Sequence, residues 1–369
     1  MQRILIQPFS TGLRSALLKN GTLTDLAFER PVLAKQANLD DVMCGRVLSV
    51  RRDFVWFDLG LDIEGVVKTS LFHHTNKPHE GMFLWLQVAR VPWPEIGSIV
   101  HHEKGYRLTP YITLAGRYWL HNPFARRDSK WIHRTAAYGK ADDSPELVEE
   151  KEELFRHAIR LHVPPTKLGI FERALTQWQR WIRDSEDNVV ITCETPAVAQ
   201  LVKEWVLTAF PEKVEAITLA LQTETQLFES FGIEDRWAEV LSPHVLLPGG
   251  GSLDIRELAA ATLIDINTGG QRDDFFNVNL KALKAIVQQI QWRNITGNIL
   301  VDFVRLTKIA QVDFLKHAND AFQGTDVHVL GFCELGLLQL QRTRHRPSLL
   351  MELMQQCPTC HGDGLVNGF

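Results

Sequence analysis

Between residues 1 and about 38 the apolar positions come in short runs, not at helical spacing, and Asn20-Gly21 interrupts them. That predicts short strands joined by tight turns, beginning with Met1 to Ile6. A second stretch alternates more strictly. Gly45 to Val50, Phe54 to Gly60, Ile63 to Val67 and Leu84 to Val88 read as short strands with glycine corners. This is the pattern of a small five-stranded barrel of the oligonucleotide-binding kind. Trp56 and Phe57 are adjacent, so one should fill the barrel and the other face outward, where an aromatic can stack a base.

Further on the period changes. A helix is expected around Thr176 to Arg183, a strand at Asn188 to Thr192, and an amphipathic helix from Pro196 to Ala209. A strand at Val214 to Leu219 and a helix over 226–240 should follow. Beyond Gly249-Gly250-Gly251 the order becomes strand, helix, strand, helix, strand. The segments are Ala261 to Asn267, Asn279 to Arg293, Ile299 to Val304, Ala310 to Phe322 and Val327 to Phe332. Leu280, Leu283, Val287 and Ile290 mark one face of the first helix. Such a connection suits a right-handed crossover between parallel strands, whose apolar content implies cover on both faces. A last helix is expected from near Leu335 to the basic residues beyond it.

Two of these apolar strands carry a carboxylate: Asp265 in Leu263 to Asn267, and Asp302 in Ile299 to Phe303. A carboxylate is costly to bury without compensation, and a shared divalent cation is one compensation. Oxygen-only ligands suit magnesium or manganese and phosphodiester chemistry. Asn267 is two residues beyond Asp265 and leaves the strand on the same face, so it can orient the pair. A strand-end aspartate can also be an ordinary cap or turn residue. Arg342, Arg344 and the Thr268-Gly269-Gly270 turn are candidate phosphate contacts.

Composition adds limits. The 369 residues are 45% hydrophobic and 23% charged, enough for two to three ordinary domains, and a net charge of −4 means that any polyanion site must be local. Basic residues cluster at Arg126, Arg127, Lys130 and Arg134, and acidic ones between Asp142 and Glu153. No apolar run reaches the length of a membrane span, and the N-terminus turns polar too early for a secretory signal, so a cytoplasmic protein is expected. Of five cysteines, Cys44, Cys193 and Cys333 read as small buried hydrophobes. Cys357 and Cys360 have the spacing of a zinc knuckle, but one half-site only. A second copy of the chain, or His361 with a distant residue, would complete it. A redox pair or an unmetallated terminus is the alternative.

Together these stretches resemble the ribonuclease E/G family of bacterial endoribonucleases over nearly the whole chain. The resemblance is carried by Leu247 to Ser252, Leu263 to Asn267, Phe276 to Leu280, Ile299 to Phe303, Gly336 to Leu338, Cys357 to Gly364, and earlier by Thr113 to Tyr118. It implies an α+β multidomain fold: an RNase-H-like subdomain split between 1–38 and 186–240, an S1-type barrel at 39–114, and a sensor of the RNA 5′ end at 115–185. A DNase-I-like catalytic subdomain at 241–355 and a zinc link at 356–369 complete it. By the same resemblance Asp265 and Asp302 hold magnesium beside Asn267, and Cys357 and Cys360 share zinc with a second protomer. Gly116, Leu120 and Arg173 match sensor positions, Trp56 a base-stacking position, and Arg90 lies near a basic RNA contact.

The chain departs from the family pattern in places. Ala174 replaces the threonine after the sensor arginine, Val66 a second barrel aromatic, and Glu334 an arginine. The loop from Thr268 to Phe275 is short, and the chain stops just after the knuckle, which makes a dimer the expected assembly. The expected function is magnesium-dependent cleavage of single-stranded RNA in processing or decay. The rivals are a non-catalytic RNA-binding member and, more remotely, a nuclease acting on DNA.

Overall fold

The computed structural model describes residues 1–31, 36–72, 77–91, 105–123, 130–185, 188–222, 226–258, 260–270, 274–343 and 346–354. They form a mixed α+β protein of two compact units, one of residues 1–31 with 185–354, the other of described residues between 36 and 184.

The first unit opens with an antiparallel meander of β1 (Gln2–Phe9), β2 (Gly12–Lys19) and β3 (Thr22–Glu29). Its second turn places Asn20 at φ 51° and Gly21 at φ 78°, the left-handed pair that a tight hairpin needs.

In the second unit, β4 (Val42–Val50), β5 (Phe54–Asp58), β6 (Gly65–Lys68), β7 (Phe83–Arg90) and β8 (Tyr106–Thr109) close a five-stranded barrel in the order β4-β5-β6-β8-β7. Closure comes from β7 returning to β4, with Val42 opposite Gln87. Val47, Val55, Phe57, Val67, Leu86 and Val88 fill the interior. A Cβ on Gly45 would lie 2.7 Å from Leu86 Cδ1, so a larger residue there would have to displace the side chains of the barrel core.

A small sheet of β9 (Leu114–Ala115), β10 (Trp119–His121) and β11 (Trp131–His133) packs on α1 (Pro145–Arg160), where Leu147 and Leu154 meet Trp119 and Trp131. Next, β12 (Gly169–Glu172) pairs antiparallel with β4, Glu172 opposite Val42. The unit ends with α2 (Gln177–Asp184). Burial pushes the Asp184 carboxyl up, but the hydrogen bonds and charges of Arg183 and Arg134 outweigh it and hold Asp184 below the usual carboxylate range.

Back in the first unit, β13 (Val189–Cys193), α3 (Pro196–Ala209) and β14 (Ile217–Leu221) add two parallel strands to the meander, Ile191 opposite Ile4, in the order β14-β13-β1-β2-β3. The single helix expected over 226–240 is two, α4 (Leu227–Ser230) and α5 (Glu234–Leu241). Between them Gly232 takes φ 66°, which an α-helix cannot continue. Cys44 and Cys193 are buried as expected, their thiols pushed up to about 11 and about 12 by desolvation, whereas Cys333 is only half-buried.

The remainder of this unit is a six-stranded sheet in the order β15-β16-β17-β18-β20-β19. Its elements are β15 (His244–Leu246), β16 (Ser252–Glu257), β17 (Thr262–Asn267), α6 (Phe275–Trp292), β18 (Gly297–Asp302), α7 (Lys308–Ala321), β19 (Val327–Phe332) and β20 (Leu338–Arg342). A short α8 (Leu349–Leu353) follows. As expected, β17 and β18 are parallel and joined through α6. Asp274 caps α6 by accepting the Asn277 N–H at 3.0 Å. Ile264, Ile266, Ile299 and Val301 pack on Ala282, Leu283, Ile286 and Ile290 of α6 and on Phe314 and Ala318 of α7. Each such buried aliphatic contributes about 1.5–3 kcal/mol.

Two expectations fail here. The segment after Leu335 is not a helix but β20, inserted antiparallel between β18 and β19. Leu338, Leu340 and Arg342 are buried while Gln339 and Gln341 are less so, a period of two. The parallel strands are also not covered on both faces. Leu263 is 41% exposed, and Asp265, Asn267 and Asp302 all face solvent.

Candidate active site

The open face of the six-stranded sheet brings the two aspartates together. Asp265 on β17 stands directly opposite Asp302 on β18 in a parallel register. Asn267, one step further along the same face, donates from Nδ2 to Asp265 Oδ2 at 3.2 Å. Both carboxylates are exposed, so neither bears a burial cost that a cation would have to offset. Repulsion between like charges on adjacent strands replaces it as the reason to expect a cation.

The carboxylate row is longer than the two residues singled out from the sequence. Asp254 on β16 lies opposite Asp265, and His244 on β15 lies opposite Asp254. Arg256 donates to Asp254 from Nε at 2.6 Å and from Nη2 at 3.2 Å, and His244 Nδ1 is 3.0 Å from Asp254 Oδ2. The charge of Asp254 is thus engaged sideways, away from Asp265 and Asp302. The signal was present: Leu253 and Ile255 alternate with polar neighbours and set Asp254 on the face of Asp265.

On the barrel, Phe57 fills the core and Trp56 lies half-buried on the outer side. Val66 stands opposite Trp56, Arg107 opposite Val66, and Arg90 opposite Arg107, one row across four strands. Arg90 and Arg107 are exposed.

The model of the ribonuclease E/G family matches residues 119–345. Ribonuclease G of Haemophilus influenzae is 30% identical over 96% of this chain and 82% of its own length. The chain belongs to the ribonuclease E/G family. Ribonuclease G of Escherichia coli K12 is 28% identical, covering 98% of this chain and 84% of its own. Ribonuclease E of Haemophilus influenzae is 27% identical over 99% of the chain, which spans 44% of that longer protein.

The remaining positions suggested by the likeness to the ribonuclease E/G family fall in different settings. Gly116 and Leu120 flank a hairpin in which the Glu150 carboxylate accepts the N–H groups of Arg117 (2.5 Å), Tyr118 (2.7 Å) and Trp119 (2.9 Å). A Cβ at Gly116 would lie 2.6 Å from Glu150 Oε2, so glycine makes room for that carboxylate. Arg173 donates to Asp41 Oδ2 at 2.9 Å and to the Gln36 carbonyl at 2.6 Å, and the Ala174 N–H donates to Asp41 Oδ1 at 2.7 Å. Burial pushes the Asp41 carboxyl up. The N–H groups of Asn38 and Ala174 and the charge of Arg173 pull it back without cancelling that rise.

Arg342 corrects an expectation. It turns inward, bonded to Asp326 at 2.7 Å and to the carbonyls of Ile290 and Ile295, because its parity on β20 points it into the sheet core. It is therefore not placed to meet phosphate. Glu334 is exposed in the turn between β19 and β20. Gly269 packs against Gly251 at φ 60°, a close approach of two glycine turns. Arg344, Cys357, Cys360, Arg126 and Arg127 lie outside the described residues.

Among the described residues no three histidine, cysteine or acidic side chains converge as a metal cage. Two carboxylates in register with an amide beside them fit a hard cation that keeps several waters and takes its other ligands from a phosphate.

Proposed function

We propose that this chain is an endoribonuclease that cuts single-stranded RNA with the help of a magnesium ion. The observation that carries the reading is the register of Asp265 with Asp302 on an open sheet face, with Asn267 bonded to the first, in a member of the ribonuclease E/G family. Relatives named ribonuclease G and ribonuclease E support the reaction class.

Asp265 and Asp302 would hold the ion. When bound, it supplies Lewis-acid polarisation of the scissile phosphate and a more acidic water. Asn267 fixes the rotamer of Asp265 through its amide. On the barrel, Trp56 would stack a base while Arg90 pairs with phosphate. Gly116, Leu120 and Arg173 mark where the RNA 5′ end would lie, and Arg173 would have to leave Asp41 to contact it. The meander sheet with β13 and β14 would be the split RNase-H-like part, the barrel the S1-type part, and β15 to β20 the DNase-I-like part, with the boundaries given above. Cys357 and Cys360 would link two protomers through zinc. No helix among the described residues is long and apolar enough to cross a membrane, and unpaired buried thiols at Cys44 and Cys193 suit a reducing cytoplasm.

The test is cleavage of a labelled single-stranded RNA with magnesium, beside the Asp265→Ala/Asp302→Ala double variant. Internal cuts lost in the variant support the nuclease. Cuts that persist place the chemistry elsewhere. A non-catalytic RNA-binding role is favoured by one observation, the exposed Glu334 carboxylate in the turn that leads into β20, the strand paired with β18. RNA bound but uncut by the parent protein would select it.

A further inference from the structure

The outer face of the barrel carries more than Trp56. Alternation along β5 sends Val55 and Phe57 into the core and leaves Phe54 and Trp56 outside. Two residues apart on a strand is roughly 6.6 Å, so both rings belong to one surface. Across from Trp56, Val66 offers no ring. The strand beyond supplies a different flat group. The guanidinium carbon of Arg107 lies 5.2 Å from the centre of the Phe54 ring. Arg90 is opposite Arg107, Lys68 is opposite Phe54, and all three cations are exposed.

We propose that Phe54 and Arg107 form a second base-binding place beside Trp56. A base of single-stranded RNA stacks on the Arg107 guanidinium, and Phe54 holds that group flat from beneath. The claim rests on the RNA-binding reading above and states how the barrel grips its substrate. Guanidinium planes and aromatic rings both serve as stacking surfaces for unpaired bases. A free arginine must be ordered before it can do so, whereas one already lying over a ring is ordered before RNA arrives. Lysine cannot replace it, because an ammonium keeps the charge but has no plane. The row Trp56, Val66, Arg107, Arg90 therefore offers stacking on either side of the buried Val66, with Arg90 and Lys68 left to phosphates.

The experiment measures binding of a labelled single-stranded RNA of mixed sequence, in the Asp265→Ala/Asp302→Ala background so that nothing is cut. Phe54→Leu and Arg107→Lys should each weaken binding by about 5- to 150-fold, the range of one lost stack. Phe54→Tyr keeps a ring and should bind like the parent, which separates stacking from damage to the barrel. Arg107→Lys should leave the salt dependence of binding unchanged, because the phosphate charge count is unaltered. The proposal is overturned if Phe54→Leu and Arg107→Lys bind within twofold of the parent while Trp56→Leu binds weakly. A parent protein that fails to bind RNA at all overturns the reading beneath it as well.

Discussion

Arg173 is bonded to Asp41, a fully buried residue, at 2.9 Å. Asp41 also takes the Ala174 N–H, so one carboxylate engages Arg173, the proposed 5′-end contact, and the backbone beside it. Cleavage should therefore be nearly indifferent to the 5′ end. Rates on one RNA bearing a 5′ monophosphate or a 5′ hydroxyl are expected to agree within about twofold, a difference of ~0.4 kcal/mol. A tenfold preference for the monophosphate would show that Arg173 leaves Asp41 when RNA binds.

Loss of one carboxylate from the pair should act on chemistry and not on binding. Asp302→Asn is expected to slow cleavage by at least about a hundredfold, since the several kcal/mol of charge stabilisation from a bound ion goes with it. RNA affinity should stay near that of the parent, because the proposed stacking and phosphate contacts on the barrel are untouched. Single-turnover rates and equilibrium binding on the same RNA separate the two effects. Unchanged cleavage would remove Asp302 from the mechanism.

Arg256 neutralises Asp254, the acid next in the row to Asp265. Arg256→Ala should expose that charge to its neighbour. At a spacing of about 5 Å in water the extra interaction is roughly 0.8 kcal/mol, or about fourfold. Half-saturation by magnesium should fall by about that factor, and the KM for RNA should rise because phosphate meets one more negative charge. If neither moves, Asp254 is isolated from the site by more than its arginine.

Glu352 on α8 is pushed up to about 8, chiefly by desolvation and further by Glu29, despite the opposing charges of Arg346 and Arg30. The folded protein then holds a proton that the unfolded chain has lost between the ordinary value of 4.5 and about 8. Stability falls as pH rises wherever the folded state binds more protons, so this group costs stability progressively across that window. Glu352→Gln should flatten the decline, with thermal unfolding midpoints closest to the parent near pH 5 and above it near pH 8. A parallel pair of pH profiles would show that Glu352 titrates normally.

Much of this architecture was legible in the residues, and the exceptions have physical causes. Pro196 to Ala209 is helical over its whole expected length, because proline starts it, Thr195 caps it and apolar residues recur at helical spacing. The parallel pair around Asp265 and Asp302 was visible because two apolar runs flank a long amphipathic segment. The strand at Leu338 to Arg342 was missed because five residues with a buried arginine at the end also read as the start of a basic helix. Only pairing with β18 and β19 decides it. Exposure of the carboxylates was missed for a related reason: apolar content was taken as cover on both faces, whereas only alternate residues of the two strands, Ile264 and Ile266 with Ile299 and Val301, face the helices. The partner of Arg173 could not be read, since Asp41 is 132 positions away in sequence.

If Cys357 and Cys360 share a zinc ion between protomers, Cys357→Ser should yield monomers with less than about half the zinc of the parent, as two of four ligands are lost at each site. Light scattering with metal analysis gives both quantities at once. A zinc-free dimer of the parent would rule the link out.

The pairing of β12 with β4 bears on how the chain reaches this state. The strand β1 must find β13 across roughly 187 intervening residues, from Gln2 to Val189. The barrel and its companion sheet lie wholly between them and can complete themselves first, even during synthesis. Once Glu172 lies beside Val42 and Ala174 is bonded to Asp41, the two ends of that insertion are zipped together. The loop still to be closed then shrinks to roughly 54 residues, which lowers the closure entropy by about 1 kcal/mol. The same contact that engages Arg173 thus acts as a clasp, bringing the β1–β3 meander and the β13–β14 pair within reach of each other before they pair.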